Sequence, residues 1–236
     1  MRAYLDAVKT NVVADKIVPS RASVYAGSMS GKARYHHGDL RNALLAAAGS
    51  ILEEEGLDGL SLRAVAARAG VSHAAPAHHF PTLKALLTAL AADAFARFRD
   101  AMQSARDAAP QDPRSQLGAA GDGYIRFARE NPQAFRLIFS SSRLDWRDAE
   151  FHAAGQAAYQ QLKDVCAPVA ELRGETTDEQ RRALERLVWS SVHGYCHLLL
   201  AGQFGWPHDG SPEPPPRPDI EGLLLALGSD PFAKGV

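Results

Sequence analysis

The sequence has little of several features that define large classes of protein. It contains only two cysteines in 236 residues, too few for a disulfide framework, which fits a reducing cytoplasm. No apolar run approaches the roughly 20 residues that a membrane-spanning helix requires. The formal net charge is only -1, so no global charge attracts the chain to nucleic acid or lipid. We therefore expect a cytoplasmic protein without a membrane partner, in which any polyanion-binding surface is local.

The sequence also lacks the short motifs of the common enzyme classes. It has no nucleophile elbow, no paired-carboxylate metal motif and no glycine-rich phosphate loop. His193 and His197 are four residues apart, as two metal ligands on one helix face would be, but no further ligand is evident nearby. His73, His78 and His79 do not share a helix face. We predict no enzyme activity, no cofactor and no metal site.

The first residues show no helical pattern that continues into the next segment. Residues 1–30 contain acidic side chains and no apolar block of signal-peptide length. We predict that they form a flexible extension outside the fold. Because Met29 follows residues 1–28, the alternative is that those residues precede the true start of translation.

Helical periodicity dominates the rest of the chain. Apolar residues recur every three to four positions, and no strand pattern of any length is present. The sequence therefore predicts an all-α protein, with a helix-turn-helix domain at residues 31–82 and a larger helical bundle at residues 83–236. The predicted helices cover about residues 39–55, 62–69, 81–108, 114–129, 132–140, 145–171, 178–203 and 220–227.

Several helix ends are predicted from single residues. Pro81 is suited to the first position of the helix after the small domain. Asn131 is placed to cap a helix opened by Pro132, and Pro168 to bend or end the long helix that follows. The run TDEQ at residues 177–180 is a capping-box signature.

Two short helices separated by a turn are the most informative feature of the small domain. Ser61 is placed to cap the first helix, Gly70 ends it after about two turns, and Ser72 is placed to cap the second. Two such helices joined by a short glycine-containing turn predict a helix-turn-helix. Short helices that pack inside an ordinary bundle are the alternative.

The second of these helices has side chains suited to reading DNA. Ala74, Ala75 and Ala77 keep it slim enough for a major groove about 12 Å wide, and their methyl groups can meet thymine methyls. His73 and His78 are the polar side chains left to reach base edges or phosphates. Metal binding is the weaker interpretation because of their spacing, and Phe80 is expected to close the core of the small domain.

Basic residues near the small domain suggest contacts to the DNA backbone. Lys32 and Arg34 belong to an arm that can follow the backbone or enter a minor groove, although a solvated tail is the alternative. Lys84 can reach a phosphate from the start of the next helix. The predicted DNA-binding residues are Lys32, Arg34, Ser61, Arg63, Ser72, His73, Ala74, Ala75, Ala77, His78 and Lys84.

The run LSLRAVAARAGVSHAAPAHHFPTLKALL, residues 60–87, resembles the DNA-binding domain of the tetracycline-repressor (TetR/AcrR) family of bacterial regulators. The run WSSVHG, residues 189–194, resembles the tryptophan-histidine-glycine signature of a C-terminal domain in one branch of that family. Residues 124–139 resemble the preceding region of the same branch. The chain departs from the family at Ala77, where an aromatic residue is usual, and at Leu83, where lysine is frequent; both changes weaken phosphate contacts.

The resemblance implies a transcriptional regulator, specifically a repressor that binds a palindromic operator in double-stranded DNA as a homodimer and is released by a small-molecule effector. It implies dimerisation through the helix at residues 178–203, for which a purely intramolecular core is the alternative. A competing interpretation is a metal- or ligand-binding helical bundle with a vestigial DNA-binding domain.

An effector pocket in the bundle is also implied by the family resemblance. Aromatic side chains of the bundle can line such a pocket, with a histidine as polar contact. An ordinary hydrophobic core is the alternative use of the same residues. The predicted effector-binding residues are Tyr124, Phe135, Phe139, Trp146, Tyr159, Trp189 and His193.

Overall fold

The computed structural model of the chain describes residues 37–175 and 177–205. Over these residues the chain forms α-helices and short 3-10 segments and no strand, so the all-α prediction is confirmed. The predicted extension at residues 1–30 and the predicted last helix at 220–227 lie outside the described residues. The α-helices are α1 (His37–Glu55), α2 (Leu62–Arg68), α3 (Leu83–Asp107), α4 (Pro113–Glu130), α5 (Pro132–Ile138), α6 (Ala149–Leu172) and α7 (Asp178–Leu200).

The helix-turn-helix begins as its capping residues predict. The Ser61 hydroxyl accepts a hydrogen bond from the backbone N–H of Ala64 at 3.0 Å, which satisfies one free donor at the start of α2. Gly70 follows α2 with φ of +68°, the left-handed conformation that glycine adopts without strain. Val65 and Phe80 are buried, so the turn is closed over the core of the small domain as expected.

The second helix of this motif is shorter than predicted, and Ser72 does not cap it. Residues Ala75–His78 form a single turn of 3-10 helix, called the recognition segment below, with Ala74 at its N-cap position. An α-helix would require the N–H of Pro76 to bond the carbonyl of Ser72, and proline has no N–H. The Ser72 carbonyl instead accepts from Ala75 at 3.0 Å, which tightens the turn.

Two other predicted helix starts are also corrected. α3 begins at Leu83, because Thr82 is extended and its hydroxyl accepts from the N–H of Ala85, so Pro81 precedes the helix. α6 begins at Ala149 behind the cap Asp148, because the N–H of Asp145 donates to Thr88 of α3 rather than opening a helix. The predicted division at residue 82 falls in the turn before α3 and stays a prediction.

The long C-terminal helices agree in part with the sequence patterns. Thr177 and Gln180 form the predicted capping box at the start of α7, so that prediction is confirmed. Pro168 lies inside α6 and does not end it. The neighbouring side chains Val169 and Ala170 are buried, and their packing holds the helix through the missing hydrogen bond as far as Leu172.

α3 connects the two regions of the fold. It has 25 residues and is therefore about 37 Å long, starting next to the helix-turn-helix and running through the bundle. It packs against α1 near its start and most extensively against α4 and α6 further along. The buried apolar residues of α1 to α7 form one continuous hydrophobic cluster around it.

The N-terminus of α5 is capped from a distant part of the chain. Asn131 occupies the predicted cap position, but its side chain does not cap the helix; its amide oxygen accepts from Arg97 at 2.9 Å. The carboxylate of Glu53 on α1 accepts from the N–H groups of Gln133 at 3.3 Å and Ala134 at 2.9 Å. Because Pro132 has no N–H, these bonds satisfy the free donors of the first turn and tie α1 to α5.

Glu53 and its neighbour Glu54 should respond to pH in opposite directions. Partial burial of the carboxylate raises the pKa of Glu53 above its ordinary 4.5, whereas hydrogen bonds from Ser50 and then Arg68 lower the pKa of Glu54. The stability that the raised pKa of Glu53 contributes is therefore present below about pH 4.5 and lost as the pH rises. The stability that the lowered pKa of Glu54 contributes is present above about pH 4.5 and lost as the pH falls.

We therefore expect the stability of Glu53→Gln relative to the wild type to increase as the pH rises, and that of Glu54→Gln to decrease. Urea unfolding of the three proteins between about pH 4 and pH 7 measures both trends. Glu54→Gln is a matched control, because it removes the same charge one residue along α1. Parallel trends in the two variants would contradict the burial that raises the pKa of Glu53.

Candidate DNA-binding surface and ligand cavity

The recognition segment presents small and polar side chains to solvent. His73, Ala74, Ala77 and His78 are exposed, and Ala75 is half-buried. Pro76 and Phe80 point into the core instead. The segment is therefore a slim turn whose small and polar side chains are exposed, and it is anchored to the core by Pro76 and Phe80.

The other predicted DNA-binding residues of the described chain lie at the surface around this segment. Ser61, Ser72, Arg63 and Lys84 are all exposed, the first of them also serving as the cap of α2. Leu83 is half-buried, so Lys84 is the cation that the start of α3 offers. Lys32 and Arg34 lie outside the described residues.

Two arginines of the small domain are already engaged by acidic groups. Arg68 donates to Glu54 at 2.9 Å and to Glu55 at 3.2 Å, and so fastens α2 to the end of α1. Arg41 pairs with Glu150 of α6 at 2.8 Å. Within the part of the chain that the structure describes, the cations left on this surface are those of Arg63 and Lys84, in keeping with modest electrostatic attraction to DNA.

A cavity of about 340 Å³ lies inside the bundle, between α3, α4, α6 and α7. A volume in the range of about 300–1,000 Å³ is typical of pockets for small molecules. Its walls are almost entirely apolar. They include the predicted aromatic residues Tyr124, Phe139, Trp146, Tyr159 and Trp189.

Two predicted effector contacts are not in the cavity walls. Phe135 is fully buried and packs against Phe139 and His193, with ring centroids 5.2 and 5.5 Å apart. His193 lies behind Tyr124, and its Nδ1 is 2.7 Å from the Tyr124 hydroxyl. Phe135 of α5 and His193 of α7 pack against each other instead of lining the cavity.

Sequence reasoning missed most of the apolar wall. These residues belong to the helical stripes of α3, α4 and α6, and in the sequence they cannot be told from core residues. The signals in the sequence are Gly121 and Gly155, two glycines in the middle of helices that both line the cavity. The principal missed wall residues are Phe95, Phe98, Met102, Leu117, Phe151 and Leu162.

Two polar groups behind the cavity, Tyr124 and His193, are uncharged at pH 7. Burial, and after it the neighbouring His197, lowers the pKa of His193 to about 4, so the ring is neutral at pH 7. Burial also raises the pKa of the Tyr124 phenol. The Nε2 atoms of His193 and His197 are 3.1 Å apart, and a hydrogen bond there requires one ring to donate and the other to accept. Tyr124, His193 and His197 thus form a hydrogen-bonded chain behind the cavity.

Tyr159 and Glu185 form a second polar pair next to the cavity. The Tyr159 hydroxyl donates to Oε2 of Glu185 at 2.6 Å. This hydrogen bond, together with burial, raises the pKa of Tyr159 to about 12. Glu185 is itself only 8% exposed, so its charge is held by the tyrosine rather than presented to the cavity.

The cysteines and histidines do not gather into a metal site in the described ranges. There, no group of three or more Cys, His, Asp or Glu side chains is placed to hold an ion. Cys166 and Cys196 are buried, and burial raises the pKa of both thiols to about 12. Among the described helices, none combines the length and the apolar character needed to cross a membrane.

Comparisons with known proteins match both regions of the chain to one family. The family described as "Bacterial regulatory proteins, tetR family" matches residues 44–90, which contain the helix-turn-helix. The family described as "Tetracyclin repressor-like, C-terminal domain" matches residues 117–213, which contain most of the cavity walls and the run WSSVHG. No curated protein matches the chain.

Solved structures share the fold over most of the chain. A protein of unknown function from Rhodococcus sp. RHA1 is 31% identical, with a TM-score of 0.63, over 82% of this chain and 94% of its own. The TetR family transcriptional regulator PfmR from Thermus thermophilus is 19% identical, with a TM-score of 0.52, over 78% and 94%. A TetR family transcription regulator from Marinobacter aquaeolei VT8 is 21% identical, with a TM-score of 0.55, over 81% and 94%.

The two regulators are too distant in sequence to show more than the fold. The two family matches, however, cover the helix-turn-helix and most of the bundle. They confirm the resemblance carried by residues 60–87 and are consistent with the tryptophan-histidine-glycine branch. The chain belongs to the TetR family of DNA-binding transcriptional regulators.

Proposed function

We propose that the protein is a cytoplasmic repressor that binds a palindromic operator as a homodimer and leaves it when a small molecule enters the bundle cavity. The observation that carries this proposal is the position of α3. Only residues 79–82 separate the recognition segment from α3, and the same helix supplies Phe95, Phe98 and Met102 to the cavity walls. One rigid element therefore touches both sites.

A ligand can act on DNA binding through this helix. If the cavity accepts the ligand best when α3 is displaced, the ligand favours the state in which the recognition segments are wrongly spaced for the operator. Lys84 would move with the first turn of α3 and carry its phosphate contact away. The coupling requires only that the ligand bind the two states with different affinity.

Dimerisation is supported by exposed apolar side chains on the last two helices. Leu172 of α6 is 69% exposed, and Leu198 of α7 is 47% exposed. A single helix-turn-helix makes few base contacts, whereas a dimer reads two half-sites about 34 Å apart. We propose that α7 and the end of α6 form the dimer interface.

The competing interpretation is a ligand-binding bundle whose DNA-binding domain no longer binds an operator. It is favoured by Ala77, which places a methyl group at an exposed position where an aromatic residue would touch a phosphate. It is also favoured by Leu83 at the start of α3, because family members often have a lysine at that position. This interpretation predicts ligand binding without any selected DNA sequence.

Selection of bound fragments from a genomic library, at a stated salt concentration, separates the two interpretations. We expect the wild type to recover one inverted repeat and the variant His73→Ala, His78→Ala to bind it at least about tenfold more weakly. The control Ser104→Ala, Gln111→Ala changes two exposed residues at the far end of the bundle and should bind like the wild type. Recovery of no common sequence by the wild type would support the vestigial domain instead.

A further inference from the structure

Over the described residues, the walls of the cavity contain no lysine, arginine, aspartate or glutamate. Their phenols, Tyr124 and Tyr159, are neutral at pH 7, since the ordinary pKa of a phenol is about 10 and both pKa values are raised further. Apart from the imidazole of His152, the walls offer an ionised ligand no side chain of opposite charge, so the ligand would lose its hydration with little compensation, and that desolvation is costly. The charge balance of the cavity therefore favours an uncharged occupant.

The ionised groups behind the walls are already bound to protein. Arg106 donates to the amide oxygen of Gln161 at 2.5 Å and to that of Gln116 at 3.1 Å. Glu185 accepts the hydroxyl of Tyr159. A carboxylate or an ammonium ligand would have to break one of these arrangements to obtain a partner.

The shape of the cavity favours rings. Eight of its wall residues are aromatic, and they form a continuous array in which Phe95 packs on Phe151 at 5.5 Å and Phe98 on Tyr124 at 4.7 Å between ring centroids. Aromatic pairs are stabilised beyond simple burial when they stack or meet edge to face. Since a dry cavity of about 150 Å³ holds one benzene molecule, 340 Å³ has room for about two or three rings.

Polar wall atoms are concentrated on one helix. His152, Gln156 and Gln161 all belong to α6. Because the amide oxygen of Gln161 accepts from Arg106, the groups that Gln161 can offer to a ligand are its amide N–H groups. They suit a single hydroxyl or carbonyl oxygen.

From these features we infer that the effector is an uncharged aromatic molecule of two or three rings that carries a hydroxyl or carbonyl group. The inference rests on the proposed function in one respect: it takes the occupant of the cavity to be the effector. The inference excludes nucleotides, amino acids and sugars as effectors. It also excludes carboxylic acids whose carboxylate would lie inside the cavity.

Three probes of similar shape test, on the full chain, whether the cavity prefers an uncharged ligand. β-Naphthol is uncharged, β-naphthoate is its anionic counterpart, and β-naphthylmethylammonium is the cationic one. By isothermal titration calorimetry at pH 7, we expect β-naphthol to bind at least about tenfold more tightly than either ion. No binding of β-naphthol, or equal or tighter binding of either ion, would overturn the inference.

A pair of glycine variants tests whether the probe occupies the cavity. A Cβ at Gly155 would lie 3.6 Å from the ring of Phe95, an ordinary contact, so Gly155→Leu fills the cavity without a backbone clash. A Cβ at Gly118 of α4 meets nothing within 4 Å, so Gly118→Leu is the control. Both changes replace a helical glycine and should preserve folding, which thermal unfolding checks.

We expect Gly155→Leu to weaken β-naphthol binding at least about tenfold and Gly118→Leu to leave it unchanged. Wild-type affinity in Gly155→Leu would place the probe elsewhere and overturn the inference. Adding each probe to the operator complex tests the proposed function separately. If β-naphthol binds but operator affinity does not fall, the proposed release mechanism is wrong and the inferred ligand class stands. If one of the two ions binds more tightly than β-naphthol and releases the operator, the release mechanism stands and the inference of an uncharged aromatic effector is wrong.

Discussion

Replacing Gly123 with alanine is expected to destabilise the protein by about 2–3 kcal/mol, although the change adds one methyl group. Gly123 lies where α4 crosses α3 most closely. A Cβ there would be 2.5 Å from the carbonyl oxygen of Ala101 and 2.6 Å from the Cα of Met102. These are backbone atoms, so no side-chain rotation can relieve the clash and the two helices must move apart.

The change at Gly118 provides a control on the same helix. A Cβ at Gly118 meets nothing within 4 Å, and alanine favours the helix by about 0.5–1 kcal/mol over glycine, so Gly118→Ala should stabilise the protein. The two identical substitutions should therefore shift the urea midpoint in opposite directions. If Gly123→Ala unfolds at the wild-type urea concentration, α3 and α4 do not approach as closely as the structure shows.

The same crossing positions the cavity. Met102 on α3 and Tyr124 on α4 are wall residues, and each lies at or beside the contact that Gly123 permits. Separating the helices would widen the space between these side chains. We therefore expect Gly123→Ala also to weaken β-naphthol binding, which calorimetry measures.

Local capping chemistry explains which parts of the fold are predictable from sequence. Ser61 caps α2 and Thr177 forms a box with Gln180, because each cap bonds to backbone two or three residues away. The cap of α5 was missed, since its carboxylate comes from Glu53, about 80 residues earlier. Nothing in the residues around Pro132 indicates a distant carboxylate.

Competition between neighbouring signals explains the other errors in helix bounds. Pro81 suits a first helical position, but Thr82 is a better cap and moves the start of α3. At the recognition segment, Ser72 is a good cap residue by type. Pro76 nevertheless removes the donor that an α-helix needs four residues later, and this backbone effect dominates.

The two parts of the candidate site differ in how much their residues reveal. The recognition segment is one continuous stretch, so its exposed residues follow from a short pattern that includes His73 and His78. The cavity is formed where four helices converge, and its walls depend on their relative rotation. Phe95 and Phe135 are both apolar aromatic residues in helical stripes, yet only Phe95 faces the cavity. This difference in position depends on how the helices pack in the tertiary structure, so the residues next to Phe95 and Phe135 in the sequence do not reveal it.

Replacing Phe135 with alanine is expected to destabilise the protein by about 3–5 kcal/mol. The ring is fully buried and contacts Tyr124, Phe139 and His193, with centroid distances of 5.8, 5.2 and 5.5 Å. Its removal leaves a void that these rigid rings cannot fill by small shifts. Phe204, which is half-buried near the end of the described chain, is the control, and Phe204→Ala should cost far less.

A second measurement separates a packing role for Phe135 from a general loss of structure. Burial is the main reason that the pKa of His193 is lowered to about 4, and Phe135 supplies part of that burial. In Phe135→Ala, water gains access to the imidazole, so the pKa of His193 should rise toward its ordinary 6.5. Titration of the His193 ring by NMR, in wild type and in Phe135→Ala and Phe204→Ala, follows this change residue by residue.

The pH dependence of stability should weaken accordingly. In the wild type, the lowered pKa of His193 contributes stability that is present above about pH 6.5 and lost as the pH falls toward 4. With the pKa moved back toward 6.5, Phe135→Ala should lose less stability than the wild type over the same fall in pH. An unchanged His193 pKa in Phe135→Ala would show that Phe135 does not shield the imidazole from water.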